Sequence, residues 1–272
     1  MIPAEFAYER PTSVADAVGL LGRHGDGAKL LAGGHSLIPL MKLRLAAPDT
    51  LIDLSGIPGL DGIREDGDHI AVGALTTHRA VAESDLIAQQ CPVLAEAAAG
   101  VGDMQVRNRG TIGGSIAHAD PHADLPAVLV ALGGEVVVEG PGGRRTITAD
   151  ELFLDYLTTA ISPDEILTEV RVPKVRQAAY MKFNRRQQDW AVVGVAAAII
   201  GSQARIAVTG VGSRPARATA AEEAWNGSNP VQAALVAGNG LTPQSDTAAS
   251  AEYRVHLVNV LTQRALEAAA SR

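Results

Sequence analysis

Residues 30–44 read LLAGGHSLIPLMKLR, in which an apolar strand-like run passes through Gly33-Gly34 into an amphipathic segment. Paired glycines let successive backbone N–H groups converge into an anion-binding concavity that a Cβ would fill. His35 and Ser36 add side-chain donors, and a helix starting near Ser36 would turn its positive end to the same point. A second pair, Gly113-Gly114, lies in TIGGSIAHADPHADLP (111–126), flanked by the hydroxyls of Thr111 and Ser115. Two such loops suffice to hold two phosphates, although either pair alone also fits a plain turn. No Gly-x-x-x-x-Gly-Lys-Ser/Thr occurs, and neither Gly100-Val-Gly102 nor Gly210-Val-Gly212 continues into Gly-x-Gly-x-x-Gly, which argues against a P-loop and an ordinary Rossmann site.

Outward from the first loop, Lys29–Ala32 and Thr50–Asp53 read as strands and Leu37–Leu43 as a helix or turn. Ahead of them, Ser13-Val-Ala-Asp16 resembles a capping box with Asp in place of Glu, opening a helix to about His24 on Val14, Ala17, Val18, Leu20 and Leu21. The opening is βαβ-like. A strand at Ile70–Val72, a cap at Thr76 or Thr77 and an alanine-rich helix over Pro92–Val101 precede the second loop. A helix over Ala127–Leu132 and a hairpin, Glu135–Val138 with Thr146–Thr148 about the turn Gly140-Pro-Gly-Gly143, follow it. This first unit spans 1–173, in subdomains of about 1–55 and 56–173. Beyond Val172-Pro173, strands are expected at Ala178–Phe183, Ala191–Ile200 and Arg205–Thr209, then helices at Ala220–Trp225, Val231–Ala237 and Ala251–Ala269. Strands followed by helices predict a smaller α+β domain, 174–272, with an antiparallel sheet and C-terminal helices.

The chain has 272 residues, 47% of them hydrophobic but only 3% aromatic, so its core must be built from Ala, Val, Leu and Ile. A formal charge of −7 without a basic stripe argues against a nucleic-acid surface. The single cysteine, Cys91, allows no internal disulfide, zinc cluster or iron–sulfur cluster. With no leader-like N-terminus and no apolar run near the roughly 20 residues that span a bilayer, a cytoplasmic protein is expected. His118, Asp120, His122 and Asp124 resemble a metal-ligand cluster. Pro121 in their midst argues for a turn instead, with Asp120 or Asp124 capping the helix that follows.

Taken together, LLAGGHSLIPLMKLR and VRNRGTIGGSIAHADPHADLPAVLVALG (106–133) resemble the flavin subunit of molybdenum hydroxylases, most nearly the medium, FAD-binding subunit of aerobic carbon monoxide dehydrogenase. Similar domains occur in xanthine dehydrogenase and in aldehyde, nicotine and aromatic-acid dehydrogenases. The likeness extends over essentially the whole chain, including DELFLDYLTTAISPDEILTEVRVP (150–173) and YMKFNRRQQDWAVVGVAAA (180–198).

The resemblance implies an α+β fold whose two-part FAD-binding domain is of the vanillyl-alcohol-oxidase-like type. It places the first FAD loop on Ala32, Gly33, Gly34, His35 and Ser36, with Leu37 following, and the second on Thr111, Ile112, Gly113, Gly114 and Ser115, both around the pyrophosphate. Val101 and Gly102 pack on the cofactor, Asp124 contacts its polar chain, Leu167 lies near the flavin ring and Lys182 beside it. The implied activity is electron transfer, with no catalytic acid or base and no metal on this chain. Substrate is oxidised on a molybdopterin-bearing large subunit, electrons cross the 2Fe-2S clusters of a small subunit, and FAD here passes them to an external acceptor. A quinone is favoured over NAD because no separate NAD fingerprint is found. The assembly implied is a dimer of heterotrimers, cytoplasmic or peripheral at the inner membrane face, without a transmembrane segment. The rivals are a stand-alone flavin oxidoreductase and a metal-dependent hydrolase built on His118, Asp120, His122 and Asp124.

Overall fold

A computed structural model describes residues 2–272. The chain begins as three parallel strands, with Thr50–Asp53 between Ala7–Glu9 and Ala28–Leu31. Helix Val14–His24 starts where Ser13 Oγ accepts the Asp16 N–H at 3.1 Å, and its buried Ala17, Leu20 and Leu21 cluster with Ala28, Ile52 and Leu54. The one-sided burial follows from apolar residues spaced at the helical period.

An antiparallel five-stranded sheet follows, ordered Ile63–Asp66, His69–Gly73, Ile166–Pro173, Glu135–Gly140, Gly143–Thr148. Its middle strand is the last of these in the chain. Helices Pro92–Ala99, Ile112–His118 and Asp124–Leu132 share one core with the sheet, built around Ile70, Val72, Leu94, Leu129, Val136 and Val170.

The remaining strands, Ala178–Phe183, Val193–Ile200, Gln203–Thr209 and Ala216–Arg217, form a four-stranded antiparallel sheet that is covered on both faces. Alternation assigns the faces. Ala178, Ala196, Ala198 and Ala207 join the core of the first unit, against Asp124–Leu132. Val193, Val195, Ala197, Ile206 and Val208 turn the other way, under helices Thr219–Ala224, Pro230–Leu235 and Ala251–Ala270. Every residue of Asp124–Leu132 is consequently buried.

Several elements differ from the sequence reading. The glycine-rich segment after Thr111 is a helix, Ile112–His118, capped by Thr111 Oγ1. The next helix starts at Asp124 rather than Ala127, and the long strand at Val193 rather than Ala191, because Val192 N–H bonds back to Phe183 O and closes a loop. Strands Ala7–Glu9, Ile63–Asp66 and Ile166–Pro173 were not anticipated. Among the described residues no helix is long and apolar enough to cross a membrane.

Candidate functional site

The fold brings the two glycine loops into contact. A Cβ on Gly33 would lie 2.1 Å from Arg109 O and 2.9 Å from Gly110 Cα, so only glycine permits this approach. Gly34 holds φ at +74°, a left-handed conformation, and its neighbour Ala32 faces Gly114, with 3.9 Å between the Ala32 Cβ and an ideal Cβ on Gly114. Gly113 is pressed on Ala74, where a Cβ would meet Ala74 Cβ at 2.5 Å and Ala74 O at 2.7 Å. A Cβ on Gly114 would meet the Thr111 hydroxyl at 2.8 Å and, apart from Ala32, nothing else within 4 Å.

Their backbone donors differ as well. In the first loop, the N–H groups of Gly33, Gly34, His35, Ser36 and Leu37 meet no acceptor among the described residues. Hydrogen bonding resumes with Ile38 N–H to Gly34 O at 3.0 Å, and Ser36 provides no side-chain cap to helix Leu37–Lys42. In the second loop the donors are taken. Ile112 N–H bonds to Thr76 O at 3.0 Å, Gly113 N–H to Ala74 O at 2.9 Å, Gly114 N–H to Thr111 Oγ1 at 3.1 Å and Ser115 N–H to Thr111 O at 3.0 Å. A chain of unclaimed amides beside closely approaching backbone is the kind of cradle that can receive an anion. The helix behind it is its scaffold.

His78, which the sequence reading passed over, lies under that scaffold. Its N–H donates to Gly110 O at 2.9 Å, and an ideal Cβ on Gly110 would come within 2.9 Å of its ring. The ring is 4% exposed and its Nδ1 has no partner among the described residues. Burial, reinforced by repulsion from His35 and Arg107, depresses its pKa to about 4, so His78 is neutral near pH 7.

The other anticipated residues gather at the junction of the two sheets. Arg107 clamps the Val101-Gly102 turn through Val101 O at 3.0 Å and Gly102 O at 3.1 Å, with Gly102 at φ +50°. Lys182 Nζ donates to Gly100 O at 3.3 Å from the other side and to Asp124 Oδ2 at 2.9 Å. Asp124 is 5% exposed, and its second oxygen accepts from Tyr180 Oη at 2.5 Å. Both carboxylate oxygens therefore have protein donors. Burial pushes the Asp124 carboxyl up, opposed by Lys182 and Tyr180, while the Tyr180 phenol is raised well above its usual value by burial and by Asp124. Leu167 stands apart from these polar contacts as a buried core residue, on the strand that packs against helix Ile112–His118.

Of the other residues in the cluster, His122 reaches the C-terminal sheet and Asp120 braces the turn locally. His122 Nδ1 lies 2.9 Å from Ala191 O, Asp120 Oδ1 accepts the His122 N–H at 2.8 Å, and the Thr209 hydroxyl lies 2.7 Å from Pro121 O. Gly210 N–H also bonds to Pro121 O, at 2.7 Å. These bonds tie the turn to the C-terminal sheet. No group of three or more His, Cys, Asp or Glu side chains converges as a metal shell among the described residues.

Comparison with known proteins identifies the family. Residues 4–175 match the family described as FAD binding domain in molybdopterin dehydrogenase, and residues 178–269 match the CO dehydrogenase flavoprotein C-terminal domain. The chain is 43% identical to the carbon monoxide dehydrogenase medium chain of Hydrogenophaga pseudoflava, covering 100% of this chain and 99% of that one. It is 40% identical to the 6-hydroxypseudooxynicotine dehydrogenase complex subunit alpha of Paenarthrobacter nicotinovorans, covering 100% of this chain and 97% of that one. The solved structure of carbon monoxide dehydrogenase from Hydrogenophaga pseudoflava superposes with a TM-score of 0.95 at 44% identity, over 100% of this chain and 99% of that chain. The α+β fold expected from the resemblance is the one observed, and this chain belongs to the family of FAD-binding flavoprotein subunits of molybdopterin dehydrogenases.

Proposed function

We propose that this chain is the FAD-carrying electron-transfer subunit of a molybdenum hydroxylase complex, and that the cradle Gly33–Leu37 holds the FAD pyrophosphate. The run of amides without acceptors carries this reading, because the donors of a half-buried loop call for an anionic partner. Thr111 and Ser115 add hydroxyls from the adjoining loop, and Gly114 leaves room for close approach. The Val101-Gly102 turn, Leu167 and the Asp124–Lys182 pair then border the rest of the cofactor. The Lys182 ammonium offsets negative charge that flavin gains on reduction, while Leu167 supplies apolar cover for the ring. Bound FAD supplies the interconversion of one-electron and two-electron steps. The protein residues hold the cofactor, exclude water from one side of it and fix the charge nearby.

Electrons arrive from 2Fe-2S clusters on a small subunit, originating at molybdopterin on a large subunit, in a dimer of heterotrimers, and leave to a quinone. Carbon monoxide is the favoured substrate of the whole complex, in line with relatives named as carbon monoxide dehydrogenase medium chains. A nicotine-type or other N-heterocyclic substrate is the second reading, because relatives named for nicotine metabolism are nearly as similar, at 40% identity. Both readings share one flavin site.

Co-purification from the native host, followed by an absorbance spectrum and metal analysis, tests the assignment. Flavin bands with iron, molybdenum and two further polypeptides are expected. A flavin-loaded chain that purifies alone under those conditions overturns the relay, and a flavin-free complex overturns the cofactor site.

A further inference from the structure

Tyr180 opens the segment 180–198 that the family resemblance includes, yet the resemblance gives it no role. It lies two residues before Lys182 on the strand Ala178–Phe183, so both side chains leave the same face, toward the start of helix Asp124–Leu132. The half-buried Tyr180 donates its phenol to Asp124 Oδ1 at 2.5 Å, while Lys182 donates to Oδ2 at 2.9 Å. The neighbouring strand makes room for it. Gly194 pairs with Lys182 across the ladder, and a Cβ there would fall 2.2 Å from the Tyr180 hydroxyl. No other residue type at 194 leaves the phenol where it is.

We propose that Tyr180 is a positioning residue of the flavin site: seated in the slot left by Gly194, it fixes the Asp124 carboxylate, which in turn fixes the Lys182 ammonium that faces the bound cofactor. The inference rests on the FAD reading of this site. Without the phenol, one buried carboxylate oxygen loses its donor, the side chain is free to swing, and the ammonium follows it. Lys182 then reaches Gly100 O and the Val101-Gly102 turn from a different position, so FAD affinity and flavin potential both change.

The test uses the full chain loaded with FAD, reading the FAD dissociation constant by flavin fluorescence and the midpoint potential by dye-equilibrated reduction. Lys182→Met should lower the potential, because it removes the positive charge. Tyr180→Phe should lower it in the same direction by a smaller amount and weaken FAD binding about tenfold, as the displaced ammonium gives up one charge-assisted contact with the cofactor. In the Lys182→Met background, Tyr180→Phe should shift the potential no further, since its effect passes through the ammonium. Gly194→Ala, which keeps every hydrogen-bonding group but displaces the phenol, should reproduce Tyr180→Phe and provides the same test should that variant fail to fold. An unchanged potential in Tyr180→Phe, or equal shifts in both backgrounds, overturns the proposal and leaves Tyr180 as packing. Failure of the wild-type chain to take up FAD would instead sink the underlying site, a separate result.

Discussion

The two glycine loops have the same dipeptide and ask different things of it. In the first, Gly33 lets its backbone touch Arg109-Gly110 and Gly34 supplies a left-handed turn, and the following amides stay free. In the second, Gly113 fits against Ala74 inside a capped helix whose leading N–H groups already have acceptors, and Gly114 alone leaves space. One loop thus keeps its donors unpaired and the other uses them inside the fold. A motif read as two equivalent phosphate loops is, in the folded chain, a loop with free amides leaning on a strut whose amides are paired.

That contrast breaks most visibly at Gly33. Gly33→Val places a side chain against backbone that cannot retreat, so it should cost more than about 3 kcal/mol and abolish FAD retention, as urea unfolding and flavin absorbance would show. Next comes the ground beneath the strut. The unfolded chain protonates His78 below about pH 6.5, but the folded protein only near pH 4. Between those values the unfolded state binds the extra proton, so stability falls as pH drops through the window, by about 3 kcal/mol in all. Unfolding midpoints at about pH 7 and about pH 4.5 measure it, and His78→Phe should flatten the difference.

Gly113→Ala should cost about 2 kcal/mol by overpacking on Ala74, and FAD affinity should fall only as far as stability does. Gly114→Val sharpens the comparison from the other side: it should cost about 1 kcal/mol by displacing the Thr111 cap, less than Gly113→Ala, yet weaken FAD binding at least about tenfold. If Gly113→Ala lost FAD at unchanged stability, the roles assigned to the two positions would be reversed.

What the sequence made legible was local. The Val14–His24 helix, the hairpin about Pro141-Gly142 and the alternating strands after Ala178 each display their periodicity within their own residues. Strand Ile166–Pro173 hid because its partners, His69–Gly73 and Glu135–Gly140, are distant in the chain, and Ile63–Asp66 hid because a charged edge strand shows no apolar alternation. The helix at Ile112–His118 was masked by its glycines. Its first two N–H groups find acceptors at Thr76 and Ala74, which no reading of residues 111–118 alone would pair with them.

The same limit applies to the site. Both glycine loops were visible, but which of them keeps its amides free depends on those distant carbonyls. Tyr180 and Gly194 look like ordinary strand residues until the ladder sets them beside Asp124. His122 and Asp120 resembled metal ligands because their type and spacing were right. Ala191 O and a local backbone N–H, invisible in the sequence, engage one atom of each, and no group of three or more such side chains converges among the described residues.

Helix Asp124–Leu132, buried on every side between the two units, also sets an order of events. On a growing chain it emerges before Ile166–Pro173 can close the five-stranded sheet on one side and before Ala178–Thr209 can cover the other. Until those strands are made, its nine residues, Asp124 among them, stand in water, and the Lys182 that pairs with Asp124 does not yet exist. On the proposed flavin site, loading is therefore expected late in synthesis, after the C-terminal sheet has docked, and a nascent chain stalled before that point would leave this apolar helix exposed and prone to aggregate.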